Sequence, residues 1–525
     1  MSNFRKFNAV FSAFVFLILP VFLSACTEKE NEQVFLSTVR PISSDRPVTV
    51  PTSHSEPEAE YKADTYIILN NKNTTINGSG ATFKSGVLSV GKAGAYYIKG
   101  NLLGRIDVTA EKGDVHLYLD GITVESAEDP ALSCSLKNGE IHLTALKDTN
   151  NSFTSRADGN DKNDSAVFSA GNITVDGNGS LAVVCRSGVG IYSGGSVTFK
   201  GASTDIQSAA ASVLVNKNLK VTGGALAVSS GKTALIAKGD KSVLSLSGGK
   251  TNISGIKGCL KSGSDVNISG GKHELIVGGG STGKISANQN NNRGSFPVGS
   301  SEIPAEYSRY SEAVDAGRNI VLSGGKIYVN SNADAFCASR VISVSGGELT
   351  VRSDKTAFSS EKTLSVSGGK TDISYCSKGI ETETIYFSDG KFSIAAKRRA
   401  VKAEKSLLQS GGTLVALSYN DKNASAVDYG ERCTIAAGTL FAAGGTENLS
   451  KADRRIASLS LDKEFTGGST LTVALNDAAI LSSTVPFDCD GAILFSDVLT
   501  TGASYNIYAS KAGSSDILLA KVTAK

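Results

Sequence analysis

Lys257, Asp334, Thr356, Lys378 and Arg399 fall in one column when the short repeats of the chain are superimposed on their Gly-Gly turns. Ammonium and guanidinium groups stacked on one turn of successive repeats would offer a line of anion contacts, with a guanidinium presenting two N–H groups to a carboxylate. Solvated turns that discourage edge-to-edge association are the plainer role for the same column. Tyr307 and Tyr310 are the other ligand-binding candidates. They stand in an insertion rich in Asn, Ser and Gly, and long loops leaving a regular scaffold tend to border its binding face. An excursion without order is the alternative for that segment. A third chemistry is set at Cys26: Arg5 and Lys6 precede an apolar run from about Ala9 to Leu23, which ends at Leu23-Ser24-Ala25-Cys26. That pattern reads as a bacterial lipoprotein signal, cut before Cys26, whose thiol would carry the lipid; an ordinary secretory leader or anchor helix with a chance cysteine is the alternative.

Other chemistries find few residues to carry them. His54, His116, His142 and His273 are isolated from one another and from any Cys-x-x-Cys, so neither a zinc cluster nor a histidine-based triad is spelled out. Cys134, Cys185, Cys259, Cys337, Cys376, Cys433 and Cys489 are an odd set without close pairs and read as small core residues more than as a disulfide framework. The net charge is +3 over 525 residues with no dense basic block, which excludes a nucleic-acid footprint. The abundant glycine reads as turn glycine.

The elements that must position these groups follow from the repeat. Gly-Gly turns begin at positions 248, 270, 324, 346 and 368, so three of the four gaps are equal and the remaining one is more than twice as long. The long gap marks an insertion at about 278–318. Each unit carries short alternating stretches such as Val341-Ile-Ser-Val344 and Glu348-Leu-Thr-Val-Arg352, which put one set of side chains inside and the other in solvent. Serial strands and three turns in about 22 residues predict an all-β, right-handed parallel β-helix; propeller blades need roughly 40 residues each. Residues 64–450 would form it, in at most about seventeen coils, with 451–525 as a small carboxy-terminal β module and cap. Residues 1–25 form the signal peptide. The lipidated Cys26 opens a tether over 26–63, where Pro41, Pro47, Pro51 and Pro57 lie among Ser, Thr and Glu, a composition unable to fold alone. The expected location is the cell envelope, on the outer membrane, either exposed at the surface or on the periplasmic face, with the lipid on Cys26 as the membrane contact.

Several motifs, in order along most of the chain, carry a family likeness. They are Val90-Gly-Lys-Ala-Gly-Ala-Tyr-Tyr-Ile-Lys-Gly100, Leu103-Gly-Arg-Ile-Asp-Val108, Val115-His-Leu-Tyr-Leu-Asp-Gly-Ile-Thr-Val124, Thr149-Asn-Asn-Ser-Phe153, Ala333-Asp-Ala-Phe336, Gly379-Ile-Glu381 and Leu499-Thr-Thr-Gly-Ala-Ser-Tyr505. Together they resemble the carbohydrate-binding domain proteins, a parallel β-helix family with a pectate-lyase-like fold associated with cellulose, polygalacturonate and calcium. That resemblance implies Asp or Glu in the column that here holds Lys257, Lys378 and Arg399. Calcium takes six to eight oxygen ligands, and only Asp334, Asp354 and Glu381 remain nearby as acids. No cofactor is therefore expected, and calcium only weakly.

Three functions compete. The favoured one is non-catalytic glycan binding, since strands about 4.8 Å apart make a flat face along which a polymer can lie, and Lys378 and Arg399 could meet uronate carboxylates of an acidic polysaccharide. The chain has no Trp, so aromatic platforms for sugars are thinly supplied. The alternative is a structural or adhesive rod with a protein partner. A polysaccharide lyase comes last: β-elimination needs a base and a cation that neutralises the carboxylate, roles open to Arg398 or Arg399 with Lys378, but a fold does not confer activity. No catalytic residue is assigned.

Overall fold

The computed structural model describes residues 61–127, 130–156, 164–283, 312–419, 425–476, 478–511 and 513–525. Cys26, the tether, Tyr307 and Tyr310 lie outside them. The described residues form a parallel β-solenoid of about 13 turns and a separate small antiparallel sheet, against the upper bound of about seventeen. The early coils are longer than the Gly-Gly period: Ser133 pairs with Phe168, 35 positions on, and Phe168 pairs with Tyr192, 24 positions on.

Each coil contributes one strand to each of three parallel sheets. In the middle of the solenoid the first sheet stacks Val243–Leu246, Asp265–Ile268, Asn319–Leu322 and Val341–Val344. The second stacks Lys250–Gly255, Lys272–Val277, Lys326–Ser331 and Glu348–Ser353. The third stacks Gly258–Ser262, Glu312–Ala316 and Asp334–Ala338, then continues into the unbroken ladder Thr356–Ser418, which runs round several corners. Gly258 pairs directly with Glu312, so the insertion leaves the solenoid after Val277 without interrupting the stack.

The Gly-Gly turns join the first sheet to the second. Their second glycines, Gly249, Gly271, Gly325, Gly347 and Gly369, hold φ between +74° and +88°, where an L side chain is strained. Space adds a second constraint, because a Cβ on Gly347 would sit 2.8 Å from the Gly325 carbonyl oxygen. The period is thus both a conformational and a packing requirement.

Inward positions form one continuous apolar core from Ile67 to Phe495. Cys134, Cys185, Cys259, Cys376, Cys433 and Cys489 are buried, whereas Cys337 is half-buried and outward-facing. Asn151 ties neighbouring coils together: its Oδ1 accepts the Ile122 N–H at 3.1 Å and its Nδ2 donates to the Ser180 carbonyl at 3.0 Å. Both ends of the stack are covered, as exposed strand edges require. At the start, Thr65–Leu69 pairs antiparallel with Thr75–Asn77, and Ala81–Lys84 with Val87–Val90. At the end, Ala492–Ser496 runs antiparallel to Arg432–Ala443. The separate sheet holds Ser469–Leu475, Ala478–Val485, Ser504–Ser510 and Ile517–Thr523, and buried Tyr505 accepts the Thr500 N–H at 2.8 Å.

Candidate functional site

The outward face of the third sheet gathers the charged side chains that the repeat placed in a column. Each strand there turns two positions outward, three residues apart, although Gly258 and Thr356 are covered by their neighbours. Strand register sets the first outward column as Gly258, Glu312, Asp334 and Thr356. Lys378 and Arg399 follow in the ladder Thr356–Ser418, and Arg399 pairs with Ser425. The column therefore brings Asp334, Thr356, Lys378 and Arg399 together as the sequence predicts, with one correction. Lys257 falls one residue short, in the bend before the strand, and Gly258 takes its place. Glu312 is a member that repeat counting missed because the insertion displaced its register.

Three positions on, the second outward column reads Lys261, Asp315, Cys337 and Ser359, with Glu381, Lys402 and Asp428 beyond. Opposite charges in this double column pair along and across the strands. Lys261 meets Asp315 at 2.7 Å and Arg399 meets Asp428 at 3.5 Å. Glu381 is a hub, 2.7 Å from Lys378 and 3.7 Å from Lys402. Burial alone would raise the Glu381 pKa; the Lys378 hydrogen bond and the charges of Lys378, Lys402 and Arg399 outweigh it and hold the carboxyl below the ordinary glutamate range. At the rim, Glu383 bridges Lys405 at 2.6 Å and Lys362 at 3.0 Å, and those two ammonium groups depress its pKa in turn. Glu312 goes the other way, raised by burial and then by Asp315.

The calcium candidates do not fit that ion. Asp334 Oδ1 accepts the Thr356 N–H at 2.7 Å, and Glu381 faces ammonium groups. Asp354 lies at the corner between the second and third sheets, where it anchors the base of the insertion. Its Oδ1 accepts the Ser281 hydroxyl at 2.5 Å and the Gly283 N–H at 3.2 Å, while its Oδ2 accepts the Thr282 N–H at 3.1 Å and hydroxyl at 3.0 Å. The three carboxylates are engaged separately, and no cluster of three or more metal-ligating side chains occurs among the described residues.

What the face does form is a groove of about 560 Å³. Small residues, Cys337 and Ser359, make its floor, while Asp315 stands at one end and Glu361, Glu381, Glu383, Glu404 and Lys405 line the rest. The groove crosses successive coils, so its lining positions recur at the strand spacing of about 4.8 Å, close to the length of one sugar in an extended glycan, while their chemistry changes from coil to coil. Carboxylates fixed beside ammonium groups accept hydrogen bonds from hydroxyls, and the neighbouring Lys side chains donate to ring and hydroxyl oxygens.

The family model for carbohydrate-binding domain-containing proteins matches residues 84–357 and 308–478, a span that includes the whole charged double column. No curated protein matches the chain. Among solved structures, a polysaccharide lyase-like protein from C. thermocellum is 19% identical with a TM-score of 0.39, over 41% of this chain and 92% of its own.

Proposed function

Since the chain belongs to the carbohydrate-binding domain-containing protein family, we propose that it holds an extended glycan, without catalysis, along the groove of the third sheet. The groove's line of paired carboxylates and ammonium groups over small floor residues carries this role. Its acidic lining suits a hydroxyl-rich neutral stretch better than a uronate chain, because Lys378 and Arg399, the cations expected to meet uronates, already face Glu381 and Asp428. Affinity electrophoresis of the whole mature chain in gels containing cellulose derivatives, β-glucans or polygalacturonate tests both parts. A neutral glycan is expected to retard the protein, with roughly tenfold weaker retardation for Glu383→Gln plus Glu404→Gln, the size of change produced by losing about one charge-assisted hydrogen bond. Retardation by polygalacturonate alone would restore the acidic ligand. No retardation on any glycan would overturn the proposal in favour of an adhesive rod that binds protein, and release of unsaturated uronides would overturn its non-catalytic part.

The same proposal places the protein at the cell envelope, held by lipid on Cys26. Labelling with an alkyne fatty acid should mark the protein and fail on Cys26→Ser; equal labelling of both would remove the anchor from this position. No helix among the described residues is long and apolar enough to cross a membrane.

A further inference from the structure

The second outward column of the third sheet changes character in the early coils. Before the charged stretch it reads Asp107, Ser133, Phe168, Tyr192, Leu214 and Ile236, one residue per coil in direct register. Phe168 and Tyr192 lie parallel, ring centroids 5.5 Å apart and planes within 4°. One face of Phe168 is thus covered by Tyr192, which is itself steadied by the Asn216 side-chain amide donating to its hydroxyl at 3.2 Å. The opposite face of Phe168 looks along the stack over Ser133, whose side chain is too short to cover it. The result is a notch of about 280 Å³. Phe168 forms one wall and the Arg105–Asp107 pair the other, with Ser133, Ser135 and Pro130 lining the space between. Arg105 Nε donates to both carboxylate oxygens of Asp107, at 3.1 and 3.0 Å, which fixes the plane of that acid.

The two walls are two strand spacings apart, about 10 Å. Subtracting the half-thicknesses of the ring and the carboxylate leaves a slot one saturated ring deep. An aromatic face on one side and an oriented carboxylate with serine hydroxyls on the other match a pyranose, whose axial C–H bonds make one face apolar while its equatorial hydroxyls radiate from the rim. Aromatic packing and the Arg105 contact hold both walls before any ligand arrives, which reduces the ordering cost of binding. We infer that this notch is a second sugar site, taking a single pyranose ring at a chain end or branch, separate from the groove that accommodates the extended polymer; the ligand class rests on the glycan-binding role proposed above.

Saturation-transfer difference NMR on the whole mature chain, with methyl β-glucopyranoside, methyl β-galactopyranoside and methyl α-mannopyranoside as probes, tests the site. At least one probe is expected to bind at about millimolar affinity, as a ligand of so few atoms should, with transfer strongest to the C–H protons of one ring face. Phe168→Ala and Ser133→Val should each weaken it tenfold or more, the first by removing the wall and the second by filling the slot while keeping the ring. Both residues face outward, and Ser133→Val covers the case in which Phe168→Ala does not fold. Glu383→Gln plus Glu404→Gln should leave the transfer unchanged, so failure of the groove and failure of the notch are told apart. Absence of transfer from all three glycosides, or transfer that survives both notch substitutions, would overturn the second site.

Discussion

Replacing Phe358 by alanine should cost about 3–5 kcal/mol, the usual range for removing a buried phenylalanine. Phe358 is 1% exposed and stacks on Phe336 of the preceding coil, centroids 5.0 Å apart and planes within 9°. It also meets Phe392 at 6.0 Å, and Phe392 packs edge-on against Phe387 at 5.6 Å. The four rings come from all three sheets, so this cluster joins coils along the stack and sheets across it. Each aromatic pair adds about 0.5–1.5 kcal/mol beyond area burial. In a solenoid each coil is stabilised mainly by its neighbours, so a cavity here should uncouple the segments on either side. Urea denaturation followed by circular dichroism should show a lower midpoint and a broadened or split transition, and Phe358→Leu should recover part of the loss by refilling the space. A shift of less than about 1 kcal/mol, the average for any substitution, would mean that the aromatic cluster is not a keystone.

The same cluster shows what was legible in the sequence. Phe336 and Phe358 are one Gly-Gly period apart and follow their turns at equal distance, so their stacking could be read from the repeat, as could the glycines at 347 and 369 and the alignment of Asp334 with Thr356. Legibility fades where coil length changes. Ser133, Phe168 and Tyr192 are consecutive in one column, yet their unequal separations, both longer than the Gly-Gly period, hide the aromatic pair and the notch beside it from any search at that lag. Glu312 was hidden by the insertion that precedes it, although its displacement from Gly258 is the same one that separates the flanking Gly-Gly turns. Lys257 erred by a single position, which in a strand is the difference between a bend and an outward side chain. Charge partners were harder still: a basic residue in a turn says nothing about whether an acid from the next coil reaches it, and Arg399 finds Asp428 only because the intervening segment closes back into register.

Reversing one of those partners, Glu381→Lys, should produce the largest functional change. The Glu381 carboxylate is 2.7 Å from Lys378 and 3.7 Å from Lys402, and none of the three side chains is more than 30% exposed, so solvent screens the set only partly. Losing the charge-assisted contacts should cost roughly 1.5–3 kcal/mol, and a lysine in that place would add repulsion from Lys378, Lys402 and Arg399. It would also extend an ammonium group into the groove that Glu381 lines, so retardation by the neutral glycan is expected to fall more than tenfold. Glu381→Gln keeps the shape and one acceptor and should lie between the variant and the native protein on both measures. Acid provides an independent check. The Glu381 pKa is lowered in the fold, so its stabilisation is full above the unfolded-state glutamate pKa of about 4.3 and is lost as the pH falls through the lower folded-state value. Hydrogen exchange at the amides of 378–402 should therefore distinguish Glu381→Gln from the native chain clearly at neutral pH and converge for the two proteins in acid. Equal protection at neutral pH, together with undiminished glycan retardation for Glu381→Lys, would show that the charged double column is ordinary solvated surface and that the glycan lies elsewhere on the solenoid.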